Sequence, residues 1–136
     1  MQAQALRLEN APYDFDAAFR DAASGGAQMA LILSAPVFLP QMTRIVELAT
    51  THRLPSMFIG RHWAQAGGLI AYGADFQVMF RRTADYVAKI LKGEKPADLP
   101  VEQATKFDLV VKLKTAKVIG IELPTAILLR ADEVIE

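Results

Sequence analysis

Cysteine is absent from the 136-residue sequence, and this absence excludes several kinds of chemistry. Without a thiol the chain forms no disulfide, binds no metal through thiolates, has no cysteine nucleophile and carries no lipid on a cysteine. Long apolar runs are also missing, since none approaches the roughly 18 residues that span a bilayer. The first residues lack a basic region followed by an apolar stretch, so no secretory signal is visible.

An excess of charge of either sign is missing as well, because 15 basic side chains balance 15 acidic ones. A chain without net charge has no global field that attracts nucleic acid or an anionic membrane. Hydrophobic residues make up 52% of the sequence and charged residues 22%, which indicates a globular protein and not a disordered one. The length suits one domain with a buried core.

The first 60 residues alternate short apolar runs with amphipathic stretches. They predict a strand over residues 4–9, a helix over 14–23, a strand over 29–33, a helix over 39–51 and a strand over 56–59. Asp14 is placed to cap the first helix, since its carboxylate can accept the free amides of the first turn. The unbroken apolar run at 29–33 predicts an interior strand covered on both faces. This β-α-β-α-β order predicts parallel strands with right-handed crossovers.

The second half contains the most regular helical pattern in the chain. We predict a strand over residues 69–72, a helix over 75–91, an exposed linker over 92–100, a strand over 107–113, one or two helical turns over 113–119 and a short helix from about Pro124. In the helix over 75–91, aromatic, Met and aliphatic side chains recur at helical spacing with Asp75 as the cap. We expect this apolar stripe to belong to the core.

Three loops follow predicted strands, at residues 34–38, 60–63 and 72–75. In open parallel sheets, ligands bind beyond the carboxyl ends of the strands, where backbone amides and helix N-termini converge. Together the three loops offer hydroxyl groups, a guanidinium, aromatic faces and glycine backbone. These groups are typical of a pocket for a small polar or aromatic solute.

Six residues in these loops are candidates for ligand contact, namely Ser34, Phe38, Arg61, Trp63, Tyr72 and Gly73. Most have a structural alternative. Ser34 can instead cap the turn after its strand, and Phe38 can instead be a core side chain. Arg61 can make an ordinary surface ion pair. Trp63 can be buried at an interface or hinge, and Tyr72 can be structural.

No arrangement of residues indicates catalysis. His52 and His62 are ten residues apart and have no ligand pattern around them, so we expect no metal site. The sequence has no nucleophile elbow and no phosphate-binding glycine loop. We therefore expect a protein that is not an enzyme and needs no cofactor.

An ordered series of motifs resembles a known family. The motifs are HRLP at residues 52–55, AGGL at 66–69 before Tyr72 and Gly73, YVAKILKGEKPADLPVEQ at 86–103, KFDLVVKLKTAK at 106–117 and LRADEVIE at 129–136. The chain resembles the C-terminal part of ABC-transporter substrate-binding proteins of the tryptophan/tyrosine-type uptake family. Family members are about twice as long, and the resemblance covers nearly the whole chain. The family commonly has an acidic residue where this chain has Ser34.

The resemblance implies an α/β fold, built from parallel-sheet βαβ units as part of a type I periplasmic-binding-protein-like fold with flavodoxin- or Rossmann-like layers. It also implies a division of the chain. Residues 1–60 would form a βαβαβ section of a second lobe, residues 61–97 a lobe-crossing segment and a helix of the first lobe, and residues 98–136 a return to the second lobe.

The implied function is solute binding without chemistry, as the component, or a fragment, of an ABC importer. The ligand would be a small solute such as an amino acid, held between two lobes, and an ABC permease would be the partner. The implied location is the periplasm, or the cytoplasm if this is the complete natural protein, because no signal is visible. A missing lobe would expose apolar surface, so we also expect a homo-oligomer with exchanged segments. The alternative is a small dimeric α/β regulatory or interaction domain without a transport role.

Overall fold

The computed structural model describes residues 12–136 as a five-stranded sheet with helices against it. The helices are α1 (Phe15–Ser24), α2 (Met42–Thr51), α3 (His62–Gln65), α4 (Phe76–Leu91), α5 (Leu113–Ile119) and α6 (Thr125–Leu128). The strands are β1 (Ala30–Ile32), β2 (Ser56–Phe58), β3 (Ile70–Ala74), β4 (Phe107–Lys112) and β5 (Glu133–Ile135). The strand predicted over residues 4–9 lies outside the described residues. No helix among residues 12–136 is both long and apolar enough to cross a membrane.

The strands lie side by side in sequence order. β1, β2 and β3 are parallel, β4 runs antiparallel to β3, and β5 runs parallel to β4. The prediction of an α/β fold with parallel βαβ units is confirmed for the first three described strands. β5 was not predicted from the sequence, and it has only three residues.

Helix boundaries follow local chemistry. Asp14 caps α1 by accepting a hydrogen bond from the amide of Ala17 at 2.9 Å, as predicted. The helix predicted over 39–51 is divided: a 3₁₀ helix, Pro36–Gln41, precedes α2. Pro40 lies in that first part and cannot donate an amide hydrogen bond, so regular α-helix begins only after it.

One face of the sheet, called here the covered face, packs against α1, α2, α3 and α5. The largest cluster joins Phe58 of β2 with Phe15 and Phe19 of α1 and Ile45 of α2. Ala64 of α3 meets β3 and β4, while Ala116 and Ile119 of α5 meet Leu69. Burial of these side chains is the main source of stability.

The opposite face, called here the open face, carries Leu31, Tyr72 and Phe107. Its exposure shows that one prediction was wrong. We expected residues 29–33 to be covered on both faces, but Leu31 is 57% exposed, and Met29 and Leu33 are exposed beside it. β1 pairs only with β2 among the described strands, so it lies at the edge of that sheet. The apolar run was consistent with an interior strand, but composition alone does not show which neighbours are present.

α4 corrects a second prediction, because its apolar stripe is not core. No residue of α4 is buried. The chain leaves the sheet at Asp75 and returns to it at Lys106, and α4 lies between these two points. α3 and β3 come before Asp75 and pack with the sheet and its helices. The assignment of residues 1–60, 61–97 and 98–136 to two lobes stays a prediction.

Candidate functional site

Polar residues gather at one edge of the sheet, called here the carboxyl edge. β1, β2 and β3 end there, and β4 and β5 begin there because β4 reverses direction. The charged residues at or beside this edge are Arg61, Asp75, Lys106, Asp108, Asp132 and Glu133. Such an edge is where open α/β sheets bind ligands.

Arg61 connects the loop after β2 to the last two strands. Its guanidinium forms an ion pair with Glu133, 72 residues further along the chain, and its Nε lies 4.0 Å from a carboxylate oxygen of Asp108. The same Nε is buried and has no hydrogen-bond partner among the described residues. The arginine is therefore held by carboxylates on two strands, while one of its donors stays unused.

Asp75 and Lys106 mark the points where the chain leaves the sheet and returns to it. Asp75 caps α4, since its Oδ1 accepts hydrogen bonds from the amides of Gln77 and Val78. Its Oδ2 lies 3.3 Å from Lys106 Nζ. The amide of Val78 and then the Lys106 ammonium hold the pKa of this carboxyl below its usual value.

Asp108 is a carboxylate on the covered face of the sheet. Its side chain is only 7% exposed. Its nearest cationic atoms are Lys106 Nζ at 3.8 Å and Arg61 Nε at 4.0 Å, both beyond ordinary hydrogen-bond distance. Arg61 and Lys106 therefore place positive charge beside this nearly buried carboxylate.

Two glycines bring the ends of β2 and β3 close together. A Cβ on Gly73 would lie 3.0 Å from the backbone nitrogen of Gly60, so any side chain there would push the strands apart. Gly60 has φ of +97°, a conformation that favours glycine, and a Cβ there would lie 2.7 Å from the His62 ring. Because neither glycine has a side chain, the backbones of the two strand ends lie in contact at the carboxyl edge.

His62 lies beside this glycine contact. Its ring centroid is 6.0 Å from that of Trp63 and 6.4 Å from that of Phe76. Burial lowers the pKa of His62 below its usual value, because charging the ring would cost solvation. Its Nε2 is buried without a hydrogen-bond partner among residues 12–136.

The structure divides the six predicted ligand residues into groups. Ser34 follows β1, Arg61 follows β2 and Gly73 lies near the end of β3, so these three share the carboxyl edge. Ser34 is exposed, and Ala35, not Ser34, occupies the cap position of the following turn.

The three aromatic candidates lie elsewhere. Trp63 is buried in the core, where its ring stacks on Phe58 at 4.9 Å. Phe38 packs against the same cluster, edge to face with Phe15 at 5.6 Å. Tyr72 points to the open face and stacks on Phe107 at 5.8 Å.

Lys106, Asp108 and Glu133 lie at the site but were not predicted from the sequence. Asp108 had a detectable signal, because strand alternation places it on the same face as Val110, which is fully buried. A carboxylate on the apolar face of a strand indicates a specific partner. Glu133 lies in the short β5, for which the sequence analysis predicted no strand.

The arrangement offers charged and backbone groups for binding a polar solute. Among the described residues, no three His, Asp or Glu side chains are grouped so as to hold a metal ion. Acceptors and donors alternate along the edge, since each cation there contacts two carboxylates. Such an edge can pair with a solute that carries both charges.

Comparisons with known proteins identify the family and the fold of the chain. Residues 13–135 match the family described as ABC transporter substrate binding protein. A conserved domain protein from Vibrio cholerae O1 biovar El Tor N16961 is 27% identical with a TM-score of 0.80, over 89% of this chain and 40% of that one. A comparison with curated protein sequences finds no match.

Two further solved structures share the fold. The ABC domain in complex with L-Trp from Streptococcus pneumonia is 23% identical with a TM-score of 0.73, over 86% of this chain and 43% of that one. A ligand-free, open substrate-binding protein with adhesive properties from Clostridium difficile is 19% identical with a TM-score of 0.62, over 89% and 40%.

The chain thus spans about 40% of the length of the solved structures that it matches. The family match extends over nearly all described residues, from the start of α1 to the end of β5. This chain belongs to the ABC transporter substrate binding protein family.

Proposed function

We propose that this chain is a solute-binding component, or part of one, of an ABC importer, and that it binds a small solute such as an amino acid without chemistry. The convergence of Ser34, Gly60, Arg61 and Gly73 at the carboxyl edge carries this proposal. The neighbour solved with L-Trp supports an amino acid as the solute class. The working partner would be an ABC permease, and the location would be outside the cytoplasm.

Binding at this edge would use the charges described above. The solute's carboxylate would accept hydrogen bonds from the partly exposed guanidinium of Arg61 or from backbone amides after β2, and its ammonium group would meet Glu133. Charge-assisted hydrogen bonds of this kind are the strong ones. A complete cleft would need a second wall opposite this edge, so we expect weak binding by the chain alone.

NMR titration tests the proposal, because it detects weak binding residue by residue. Addition of L-Trp, L-Tyr, L-Phe or L-Leu should shift the amide signals of Ser34, Gly60, Arg61 and Gly73. The signal of Val118, on the exposed side of α5, should stay unchanged. No shift at the carboxyl edge with any of these solutes at millimolar concentration would count against the proposal.

A matched pair of variants locates the site. Arg61→Ala should weaken the titration, whereas Arg130→Ala removes an exposed arginine after α6 and should leave it unchanged. Far-UV circular dichroism would verify that both variants are folded. Equal binding by the two variants would remove Arg61 from the site.

The alternative is a dimeric α/β interaction domain, favoured by the exposed apolar side chains of the open face. Solute titration separates the two functions, since an interaction domain would bind no amino acid at the carboxyl edge. Genomic context gives an independent criterion: adjacent permease and ATPase genes favour transport.

A further inference from the structure

Charged side chains at the carboxyl edge form a continuous series in which the sign of the charge alternates. The series begins in β5 and ends at the cap of α4, and its members in order are Glu133, Arg61, Asp108, Lys106 and Asp75. Each member lies within 4.0 Å of the next. These residues, called here the charge series, connect the guanidinium of the candidate solute site with the first turn of α4.

Arg61 reaches this series because β3 places no side chain in its way. The strands lie in the order β2, β3, β4 and β5, so a side chain from the loop after β2 has to pass β3 to reach Asp108. The β3 residue that pairs with Asp108 is Gly73. Residues that pair across two strands have their side chains on the same face, so a glycine at this position leaves the path along the covered face open. The guanidinium therefore contacts carboxylates of both β4 and β5.

Asp108 interacts with the two cations of the series through different oxygens. Its Oδ2 lies 4.0 Å from Arg61 Nε, and its Oδ1 lies 3.8 Å from Lys106 Nζ. The side chain is only 7% exposed, so solvent ions screen these two interactions less than they screen an exposed ion pair. A change in the position or charge of one cation therefore changes the attraction between Asp108 and the other.

Lys106 is in turn shared between two carboxylates. Its ammonium group lies 3.3 Å from Asp75 Oδ2 and 3.8 Å from Asp108 Oδ1. The other oxygen of Asp75 accepts the hydrogen bonds from the amides of Gln77 and Val78 in the first turn of α4. Movement of the ammonium group toward Asp108 would therefore weaken its contact with the cap, and movement toward Asp75 would strengthen that contact.

We propose that Asp108 and Lys106 are positioning residues that couple Arg61 to the cap of α4. The coupling itself needs no solute, and its consequence for a bound solute rests on the proposed function. A solute carboxylate on Arg61 would neutralise part of the guanidinium charge and weaken its attraction for Asp108. Asp108 would then attract Lys106 more strongly and draw it away from Asp75. Coupling free energies are reciprocal, so a change at the cap would also change the affinity for the solute.

A double-mutant cycle without solute tests the coupling. The amide NMR signals of Gln77 and Val78, called here the reporter signals, describe the cap because both amides donate to Asp75. Asp108→Asn keeps the shape of the side chain and removes its charge, so the Lys106 ammonium group should move toward Asp75 and shift both reporter signals. In a Lys106→Met background, the shift caused by Asp108→Asn should fall by at least half. No shift, or one that Lys106→Met leaves undiminished, would overturn the proposal.

Asp132→Asn is the matched control for Asp108→Asn. It makes the same chemical change at the same edge, and its carboxylate accepts a hydrogen bond from the amide of Leu109 in β4 at 2.8 Å. Among residues 12–136, Asp132 forms no ion pair with Arg61 or Lys106. The reporter signals should therefore stay unchanged in this variant. Equal shifts in Asp132→Asn and Asp108→Asn would show that the effect does not pass through the charge series, and would overturn the proposal.

A second cycle is available where circular dichroism shows that Asp108→Asn does not fold. It uses Glu133→Gln, a change at the other end of the series in a partly exposed side chain. Without this charge, Asp108 is the carboxylate that remains beside Arg61 among the described residues, so it should interact more with the guanidinium and less with Lys106. The reporter signals should again shift, and Lys106→Met should suppress the shift. A shift that persists in the Lys106→Met background would overturn the coupling.

Solute titration distinguishes failure of the coupling from failure of the proposed function. L-Trp bound at the carboxyl edge should shift the amide signals of Ser34 and Gly60. It should also move the reporter signals, in the direction opposite to the effect of Asp108→Asn, and this movement should be lost in Lys106→Met. If Ser34 and Gly60 shift while the reporter signals stay unchanged, the solute is not coupled to the cap and the proposed function stands. If no signal shifts, the proposed function fails, and the two cycles decide the coupling by themselves.

Discussion

The carboxylate of Asp75 lies 3.3 Å from the ammonium group of Lys106, and this contact joins the helix that leaves the sheet to the strand that returns. The Asp75 amide also donates to the carbonyl of Lys106 at 3.1 Å. The same carboxylate caps α4 through the amides of Gln77 and Val78. The Asp75 side chain therefore contacts both the first turn of α4 and the start of the returning strand.

Asp75→Ala should lower the melting temperature at neutral pH, because it removes the cap and the ion pair together. The folded-state pKa of Asp75 lies below the usual 3.8. Its stabilising effect is thus complete above about 3.8 and is lost as pH falls through the lower folded value. The difference from the unmodified chain should narrow as pH falls below the usual 3.8.

Thermal unfolding followed by circular dichroism across this pH range measures the effect. Asp85→Ala, an exposed carboxylate on the same helix, is the matched control and should change the melting temperature little. A difference between Asp75→Ala and the unmodified chain that does not shrink as pH falls below 3.8 would contradict the assignment.

Arg61→Ala should destabilise the chain more than Glu133→Gln does. Loss of the guanidinium leaves the nearly buried Asp108 with Lys106, at 3.8 Å, as its one cationic neighbour among residues 12–136. Loss of the Glu133 charge still leaves Arg61 close to Asp108. We expect a cost of about 1–3 kcal/mol for Arg61→Ala, typical of a buried polar group left without its partner. Urea unfolding of both variants gives the comparison, and a larger effect for Glu133→Gln would refute the proposed role of Asp108.

Trp63→Ala should cost about 3–5 kcal/mol of unfolding free energy, because it removes a buried ring stacked on Phe58 and leaves a cavity. Tyr72→Ala is the control, since this ring is 45% exposed on the open face and should cost much less. Far-UV circular dichroism in urea is the appropriate measurement, because the variant loses the only Trp of the chain. Similar costs for the two variants would show that Trp63 is not a core residue.

The sequence predicted those helices whose boundaries depend on residues close to one another in the chain. α1 and α4 have regular apolar spacing and an aspartate cap, and both begin where Asp14 and Asp75 indicated. Periodicity shows which side chains share a face, but it does not show whether another element covers that face. The exposed stripe of α4 and the exposed Leu31 were therefore beyond its reach.

The candidate site was predictable in part: the residues at the strand ends were predicted, but their long-range contacts were not. Ser34, Arg61 and Gly73 lie at one edge because the carboxyl ends of parallel strands meet there. The pairing of Arg61 with Glu133 spans 72 residues, and no local pattern indicates a contact over that distance. It also depends on the antiparallel β4, which brings the start of β5 to the carboxyl edge.

His62→Gln should make the stability of the chain less dependent on pH between about 7.5 and 5. Burial lowers the folded-state pKa of His62 below the usual 6.5, so the unfolded chain binds a proton more readily than the folded chain. The free energy of unfolding of the unmodified chain should consequently fall as pH drops below about 6.5 toward the lower folded value. Without the imidazole, this contribution to the slope of unfolding free energy against pH is lost.

Urea unfolding at several pH values measures the slope, and His52→Gln is the matched control because it removes the other imidazole of the chain. His52→Gln should keep the slope that His62→Gln loses. The effect is relevant to the carboxyl edge, since a Cβ on Gly60 would lie only 2.7 Å from the His62 ring. A proton on that ring would thus place charge beside the loop that follows β2. If both variants retain the slope of the unmodified chain, another group is responsible for it.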